Sequence, residues 1–504
     1  MNGNGVLLLL ILASSLVVGL VIFFLPDRCH RLRATLNLLG ATIKILLVSW
    51  LLFLVHQGET FRLAFEVLPG IDLVLAADAL SLLFASLSAL LWFVTTVYAI
   101  GYLEGSPRPS RFFGFFSLCV SGAVGVALAG NLITFLVFYE VLMLATWPLV
   151  VHRGTPEALR AGRLYLAYTL GGGLVLLTGV VGLSLLAGSP DFTPGGYLAG
   201  VAGSGSAPLV VVFVLLIAGF GVKAALVPLH AWLPRAMVAP APVSALLHAV
   251  AVVKAGAFGI VRVINDVFGV ELMRDLGLAT PLVTVAVITI LYGSVQALRT
   301  DDLKQRLAFS TVSQISYIVL GVALAGPLGV IGGLVHLVHQ GVTKITLFFC
   351  AGNFAETLGI HKISEMDGVG RRMPLTMLAF TIGALGMIGV PPLAGFVTKW
   401  YLGLGALEAG QAWVLGVLVL SGLLNAAYFL PPVIRGWLGS RSRPWQECMS
   451  SSGRSETRRM LLLPVLFTAV LTVGVGLLAG LPFSPLFWVE WIVAEGHFVV
   501  GDVP

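Results

Sequence analysis

The chain has 504 residues, of which 58% are hydrophobic and only 10% are charged, and its mean hydropathy is +1.01. Soluble domains carry about 25% charged residues, so these values exclude a soluble protein and predict a polytopic membrane protein. The formal net charge of +6 does not indicate nucleic-acid binding, because the basic residues follow the loops between apolar runs.

Fourteen apolar runs are long enough to cross a membrane, since a spanning helix needs about 20 residues. These predicted spans 1 to 14 cover residues 5–25, 35–55, 75–100, 112–129, 131–151, 162–187, 208–228, 241–263, 281–298, 306–325, 328–352, 374–398, 412–435 and 460–480. Span 1 has no basic start and no small-residue cleavage site, so we expect a retained helix and not a signal peptide. The sequence therefore predicts an all-α membrane protein.

Lysine and arginine are distributed unevenly between the two sides of the membrane. Alternating the loops places 21 of them on one side and only Arg62, Arg262 and Arg274 on the other, with five more lysines inside spans. Cytoplasmic loops are enriched in these residues. The asymmetry predicts a multi-pass protein of a bacterial or archaeal cytoplasmic (inner) membrane with both termini outside. The basic stretch 435–459 is a candidate contact for anionic lipid.

The sequence predicts neither a cofactor nor a metal site. Cys29, Cys119, Cys350 and Cys448 are scattered, without the paired spacing of zinc or iron-sulfur ligands. The glycines at 171–173 lie within span 6, where small residues permit close helix packing, and do not form a phosphate loop. We therefore expect the driving energy to come from an ion gradient or from partner subunits, and membership of an enzyme complex stays open.

Proline interrupts two of the apolar segments. The segment 219–235 reads GFGVKAALVPLHAWLPR, and 386–402 reads GMIGVPPLAGFVTKWYL, so each places one lysine beside the interruption. Proline breaks a helix, and broken helices at membrane depth are tolerated only inside protein or beside a wet cavity. A pair of them in corresponding halves indicates inverted repeats with an ion site near the midplane. Spans 7 and 12 are therefore predicted to be broken, with repeats over spans 4–8 and 9–13.

Ionisable residues inside the spans form a series along the predicted bundle. An ammonium group at bilayer depth costs about 2.5 to 3.5 kcal/mol. The repeated presence of such groups therefore indicates that they serve a function. The series contains Glu140 in span 5, Lys223 and His230 around the break in span 7, His248 and Lys254 in span 8, His336, His339 and Lys344 in span 11, and Lys399 in span 12. At about 100° per residue, His336, Gln340 and Lys344 share one helix face. This pattern is typical of a proton relay.

We hypothesise that Glu140 controls the protonation of Lys223. Burial disfavours a charged ammonium group, whereas a nearby carboxylate favours it, so a small change in their separation would couple helix movement to proton uptake and release. The alternative for Glu140, Lys223 and Lys399 is a salt bridge that fixes packing. Other residues also have an interpretation without a role in the relay. His248 and His339 could be packing residues, and Asp78 could cap the helix that follows it. Lys44 in span 2 could extend its ammonium group toward the basic side of the membrane.

Four blocks of the sequence carry a family resemblance. They are GVKAALVPLHAWLPRAMVAPAPVSALLHAVAVVKAGAFGIVRV at 221–263, ALRTDDLKQRLAFSTVSQISY at 297–317, HLVHQGVTKITLFFCAGN at 336–353 and PPLAGFVTKWYL at 391–402. Across about 75–435 the chain resembles the antiporter-like subunits shared by respiratory complex I, membrane-bound hydrogenases and Mrp-type cation/proton antiporters. About 24 residues follow Gly480, and the chain is most similar to the D-type subunits of Mrp antiporters.

The resemblance implies fourteen helices with two inverted five-helix repeats. It also implies a pairing of Glu140 with Lys223, a central Lys254 preceded by His248, connecting residues His336 and Lys344, and Lys399 at the end of the path; His230 also matches a family histidine. Lys44 has no clear counterpart. The implied segments are 1–110, 111–264 and 265–436 for the N-terminal helices and the two repeats, followed by 437–504 with span 14.

The sequence predicts the proton-translocating subunit of a multisubunit Mrp-type antiporter. Its expected partners are other membrane subunits, the lipid bilayer, protons and Na+ or another monovalent cation, with no nucleic acid. The alternative within the family is a proton-pumping subunit of a membrane-bound hydrogenase or NADH:quinone oxidoreductase. A stand-alone solute carrier and a structural scaffold are disfavoured, because the buried groups are nearly all proton-titratable and cost stability.

Overall fold

The computed structural model describes residues 3–188, 190–200, 206–440 and 456–494. Its α-helices are, in chain order, α1 Gly3–Phe23, α2 His30–His56, α3 Ala79–Tyr102, α4 Pro109–Ala127, α5 Leu132–Val150, α6 Pro156–Ala187, α7 Ser206–Lys223, α8 Trp232–Arg235, α9 Ala241–Ala249, α10 Val252–Arg262, α11 Val270–Asp275, α12 Ala279–Arg299, α13 Leu303–Ala323, α14 Pro327–Leu358, α15 Val369–Arg372, α16 Pro374–Ile388, α17 Ala394–Glu408, α18 Trp413–Leu438, α19 Arg459–Leu477 and α20 Pro485–Ile492. Short 3-10 turns at Tyr197–Gly200, Ala236–Val238 and Ile363–Glu365 connect some of them.

The fourteen predicted spans correspond to helices of the structure. Within the described residues, twelve helical segments are long and apolar enough to cross a membrane, and Ala207–Lys223 and Pro374–Ile388 are shorter apolar helices. The shorter pair belongs to spans 7 and 12, where the proline interruptions end the helices early. The all-α membrane fold and both predicted breaks are confirmed.

The bundle has a buried centre and an apolar periphery. The helical segments Ala241–Phe268 and Pro327–Leu358 are buried along their whole apolar length, whereas α1, α2, α6, α18 and α19 expose most of theirs. The exposed side chains are apolar, with Leu46, Leu174 and Val419 each more than 60% exposed. The spans that carry Lys254 and Lys344 therefore form the core, and the outer helices offer apolar surface to lipid or partner chains.

Span 8 has a break that the sequence did not predict. Helix α9 ends at Ala249 and α10 begins at Val252, so the interruption separates His248 from Lys254. A π-helical turn, Val263–Phe268, then follows α10. Such turns insert an extra residue into the helical ladder and occur often at functional sites.

A β-hairpin between α2 and α3 was also not predicted. Strand β1, Phe61–Leu68, pairs antiparallel with β2, Ile71–Ala77, around a turn at Pro69 and Gly70. Span 3 was expected to start at residue 75, whereas α3 begins at Ala79 and is capped by the Asp78 side chain, which accepts from the Ser81 N–H. Asp78 therefore caps α3 as the alternative predicted, but capping is not its only contact, because it also pairs with Arg262.

Arg262 was placed in an outer loop, and that placement is wrong. Its side chain is 1% exposed and its guanidinium bonds Asp78 through both terminal nitrogens, at 2.8 and 2.9 Å, and Asp266 at 2.7 Å. Two carboxylates and the Ser81 hydroxyl compensate for its burial. The cluster joins the end of α10 to the start of α3. The predicted lipid contact at 435–459 and Cys448 lie largely or wholly outside the described residues.

Candidate functional site

Glu140 and Lys223 form an ion pair inside the bundle. The Lys223 Nζ lies 3.8 Å from the Glu140 Oε1, and the exposed fractions of the two side chains are 1% and 29%. This distance is too long for a direct hydrogen bond. Instead, the Lys223 ammonium donates to the Tyr139 carbonyl and lies 3.1 Å from the centre of the Tyr139 ring. The predicted partners therefore meet in a loose pair that Tyr139 supports.

The backbone around Lys223 is interrupted but well satisfied. Helix α7 ends at Lys223, and the Val227 N–H beyond it donates to the Thr289 hydroxyl at 3.1 Å. The Trp232 indole donates to the Val222 carbonyl at 2.8 Å. These contacts satisfy groups that a continuous helix would have paired, and they hold the lysine at a helix end inside the membrane.

The two halves of this repeat orient their helix dipoles oppositely toward their lysines. Lys223 is the last residue of α7, at a helix C-terminus, whereas Lys254 is the third residue of α10, at a helix N-terminus. A helix C-terminus favours a cation and an N-terminus opposes one. Lys254 is fully buried, and in the described part of the chain no carboxylate forms an ion pair with it. The break in span 8 thus creates an electrostatic difference between the two sites.

Lys254 connects the first repeat to α14. Its Nζ donates to the Leu337 carbonyl, which neighbours His336 in the sequence. Gly341 leaves room for the ammonium, since a Cβ there would lie 3.2 Å from the Lys254 Nζ. The connection predicted between spans 8 and 11 is therefore a direct contact in the structure.

The α14 histidines line a buried region with few protein partners. His336 lies against the Tyr317 ring, with centroids 5.3 Å apart, and neither of its ring nitrogens has a protein partner. The His339 Nδ1 is 3.3 Å from the Thr398 hydroxyl. Both amide atoms of Gln340 are also unpartnered. Buried polar atoms of this kind are usually satisfied by water, so this region suits proton transfer.

Lys344 lies in a hydroxyl network. Its Nζ donates to the Ser310 hydroxyl at 2.6 Å, and the Tyr428 hydroxyl lies 3.1 Å from Ser310 and 2.6 Å from the Asn425 Oδ1. The Asn425 amide in turn donates to the Met387 carbonyl at 3.2 Å. This network connects α14 to the end of α16, where span 12 breaks.

Lys399 lies in α17, just beyond that break. Its ammonium donates to the Ile388 carbonyl, the last residue of α16, and lies 6.0 Å from the Tyr317 ring. It is also the one ionisable residue lining an open cavity of about 460 Å³ formed by α17, α18 and the end of α16. Lys223 and Lys399 thus both lie beside a helix interruption, but the Lys223 ammonium bonds the neighbouring helix α5 and the Lys399 ammonium bonds the end of α16.

Two of the predicted residues lie apart from these contacts. His230 is 8% exposed and contacts the Tyr292 ring, with centroids 4.8 Å apart. His248 is fully buried and stacks on Phe348, four residues beyond Lys344, with both ring nitrogens unpartnered. Within the described residues there is no cluster of histidine, cysteine and carboxylate groups that would hold a metal ion.

Sequence reasoning missed the uncharged members of the site. Tyr139, Ser310, Tyr317, Thr398 and Tyr428 contact the ionisable groups but carry no charge that would distinguish them within an apolar run. The snorkelling toward the basic side considered as an alternative for Lys44 is wrong. Lys44 is fully buried and its Nζ donates to the Ser15 hydroxyl at 2.6 Å.

Two interrupted spans, each with a lysine beside the break, and further buried lysines between them define the class of antiporter-like membrane subunits. The model of the NADH:quinone oxidoreductase/Mrp antiporter transmembrane family matches residues 129–425, and the chain belongs to this family.

The chain is similar both to subunits of NADH-quinone oxidoreductases and to subunits of cation/proton antiporters. NADH-quinone oxidoreductase subunit N of Desulforudis audaxviator is 36% identical over 83% of the chain and 84% of its own length. The D-type subunit of the Na(+)/H(+) antiporter of Alkalihalophilus pseudofirmus is 26% identical over 98% of the chain and 97% of its own length. A chain of the Mrp complex from Dietzia sp. DQ12-45-1b has the same fold, with a TM-score of 0.85, 24% identity, and coverage of 99% and 98% of the two chains.

Proposed function

We propose that this chain is the proton-translocating subunit of a multisubunit Mrp-type antiporter that exchanges protons for Na+ or another monovalent cation. The observation that carries the proposal is the excess of buried ammonium groups over carboxylates. Lys223, Lys254 and Lys344 are buried inside the bundle and Lys399 is partly buried, and among the described residues only Glu140 forms an ion pair with any of them. Charges of this kind inside a membrane mark ion pathways.

The proposed path runs from Glu140 and Lys223 through Lys254 to α14 and ends at Lys399. Hydroxyl, imidazole and carbonyl groups supply contacts between these sites, and water would complete the hydrogen-bonded connections. His248, His336 and His339 are proposed members of this path, and His230 is proposed to lie at its basic-side edge. A change in the loose Glu140–Lys223 pair would alter the charge at one end of the path.

Two of these charges reach the chain's own surface, which supports burial by partner subunits. The Glu140 side chain is 29% exposed on α5, and Lys399 lines the open cavity beside α17. A charge that faces lipid is costly. We propose that neighbouring membrane subunits cover both positions. We also propose an inner-membrane location, with the basic loops inside and both termini outside, and a division into segments 1–110, 111–264, 265–436 and 437–504.

Transport by the intact complex tests this function. Proton-coupled exchange of Na+ or K+ is measured in everted vesicles that contain the wild-type complex, Glu140→Gln or Lys223→Ala. We expect both variants to lose most of the exchange while assembling to wild-type amounts. Glu157→Gln is the matched control, because that carboxylate is 61% exposed in the first turn of α6. Retained exchange in both assembled site variants would contradict the relay.

A second function is favoured by the 36% identity to NADH-quinone oxidoreductase subunit N. In that case the same path would serve a redox-driven pump, with the coupling chemistry on other chains. Purification from native membranes in mild detergent distinguishes the two functions. Small antiporter subunits in the purified complex would support the first, and quinone-reductase or hydrogenase subunits would support the second.

A further inference from the structure

Lys44 lies outside the proposed proton path and outside the family-matched residues 129–425. It is fully buried among the N-terminal helices, where its Nζ donates to the Ser15 hydroxyl of α1 and lies 5.4 Å from the Trp92 ring of α3. In the described part of the chain no carboxylate pairs with it. A buried ammonium group paired only with a hydroxyl and an aromatic ring is costly to keep charged.

The buried face of α2 is polar on one side of Lys44 and apolar on the other. Arg33, Asn37 and Lys44 are buried between its first turn and its midpoint, with Gly40 and Ala41 between them, and the residues buried beyond Lys44 are Val48, Leu51 and Val55. Arg33 to Lys44 spans about 16 Å at about 1.5 Å per residue, or roughly half of a hydrocarbon core of about 30 Å. The polar half of this face starts at the end with the basic loop around Arg28 and Arg31 and stops at Lys44.

Hydrogen bonds follow that polar face toward Lys44. The Ser117 hydroxyl donates to the Asn37 Oδ1 at 3.2 Å, and the Ser121 hydroxyl to the Ser117 carbonyl at 3.1 Å. The Ser121 and Ser15 hydroxyls are 2.7 Å apart, and Ser15 receives the Lys44 bond. At the basic end the Asn37 amide donates to the Arg33 carbonyl at 2.9 Å.

The interface between α2 and α3 contains further unpartnered polar atoms. Ser88, Trp92 and Thr96 follow each other at helical spacing on α3, are fully buried, and their Oγ, Nε1 and Oγ1 atoms have no protein partner. Trp92 faces Lys44. Buried polar atoms of this kind are typically bonded to internal water, so the surroundings of Lys44 suit the arrival of a proton.

The other helices packed against α2 bring few ionisable groups to this site. Helix α1 has none, α3 has only Tyr98 and Tyr102, and α4 has Arg111 and Cys119. Tyr98 bonds the Phe349 carbonyl of α14, and Cys119 lies 3.3 Å from the Thr146 hydroxyl of α5. On the α2 side, Arg33 bonds Ser110, the Asp27 carbonyl and His30 at the basic surface.

We propose that Lys44 is an additional proton-binding site, separate from the repeats and filled from the basic side through the polar face of α2. The proton binds the free amine of Lys44 to give the ammonium form, and it leaves by the same route, because the apolar half of α2 closes the other side. The site does not require the proposed antiporter function, so each can fail without the other.

Lysine-selective NMR on the complete complex tests the site. The chain has seven lysines, at 44, 223, 254, 304, 344, 362 and 399, and the resonance lost in Lys44→Met, or in Lys44→Arg if the first variant does not fold, is assigned to Lys44. We expect its 15Nζ and 13Cε shifts to move from the ammonium to the amine position within the pH range in which the complex is stable. A resonance that stays in one form throughout that range would overturn the proposal.

Two further measurements test the route. Ser15→Ala removes the hydroxyl bonded to Lys44 and should shift the titration midpoint, whereas Ser14→Ala should not, since the Ser14 hydroxyl bonds only the Ile11 carbonyl. In vesicles of uniform orientation, a pH change on the side of the basic loops should move the Lys44 resonance. A response only to the opposite side, or an equal midpoint in wild type and Ser15→Ala, contradicts the route.

Discussion

Gly173 of α6 faces the carboxylate of Glu140. A Cβ at position 173 would lie 2.7 Å from the Glu140 Oε1, closer than a methyl group can approach. Gly173 therefore gives the Glu140 side chain the space in which it faces Lys223. The same three-glycine segment contains Gly171, where a Cβ would meet nothing within 4 Å.

We expect Gly173→Ala to displace the Glu140 carboxylate and lower proton-coupled exchange by about tenfold, equivalent to about 1.4 kcal/mol. Gly171→Ala is the matched control and should keep wild-type exchange. Both alanines gain about 1 kcal/mol of helix propensity over glycine, so loss of the helix cannot explain a difference between them. Exchange in everted vesicles and the Tm of the purified complex are measured together. Equal exchange in the two variants would disprove the role of Gly173.

Ionisable residues of the site were predictable from the sequence because charge inside an apolar run is conspicuous and costly. Their uncharged partners were not. Tyr428 reaches Lys344 through Ser310, and Tyr428 and Ser310 are 118 positions apart in the chain. Such a contact depends on how α13, α14 and α18 pack, and one sequence does not contain that information. Arg262 was misplaced for a related reason, because its partner Asp78 lies 184 positions away.

At the level of the elements, the break in span 7 depends on a hydroxyl from a neighbouring helix. The Thr289 Oγ1 of α12 accepts the Val227 N–H at 3.1 Å and donates to the Val285 carbonyl at 2.8 Å. Thr289→Val keeps the side-chain shape but leaves that N–H without its partner inside the bundle. An unsatisfied buried group costs about 1 to 3 kcal/mol.

We therefore expect Thr289→Val to lower the Tm of the complex, and Thr289→Ser to keep it close to the wild-type value. Thr346→Val is the positional control, since the Thr346 hydroxyl is fully buried but bonds only the Val342 carbonyl of its own helix. Thermal unfolding followed by intrinsic fluorescence measures all three variants. A Thr289→Val complex as stable as Thr346→Val would show that the break is satisfied in another way.

Prolines made the breaks in spans 7 and 12 predictable, since proline both removes a donor and clashes with the preceding turn. The break in span 8 has no such signal in the sequence. It lies at Val250 and Ala251, within a run of good membrane-helix formers. The hairpin did have a signal, because Pro69 and Gly70 separate two β-prone runs. The hairpin was not predicted, because the apolar run of span 3 starts at residue 75 and therefore includes the end of the second strand.

At the scale of the whole molecule, the charge asymmetry between the two faces is retained in the structure. Arg262 is not an exposed loop residue of its face, because it lies at the end of α10 and is buried with Asp78 and Asp266. Arg62 and Arg274 are the other two residues predicted on that face. Arg62 lies on the hairpin and pairs with Asp191 at 2.5 Å, a contact that raises the pKa of Arg62. Arg274 bonds the Ala325 carbonyl. Within the described residues, the remaining arginines lie in other connections or near the ends of helices.

This asymmetry predicts the orientation of the chain, because cytoplasmic loops retain lysine and arginine. Single cysteines at Glu66, exposed on the hairpin, and at Arg160, exposed at the start of α6, report on opposite faces. In intact spheroplasts, we expect a membrane-impermeant maleimide to label Glu66→Cys and not Arg160→Cys, and the pattern should reverse in everted vesicles. The background chain has all four native cysteines replaced by serine, including the partly exposed Cys29. Labelling of Arg160→Cys alone in spheroplasts would invert the orientation and place the polar face leading to Lys44 on the outer side.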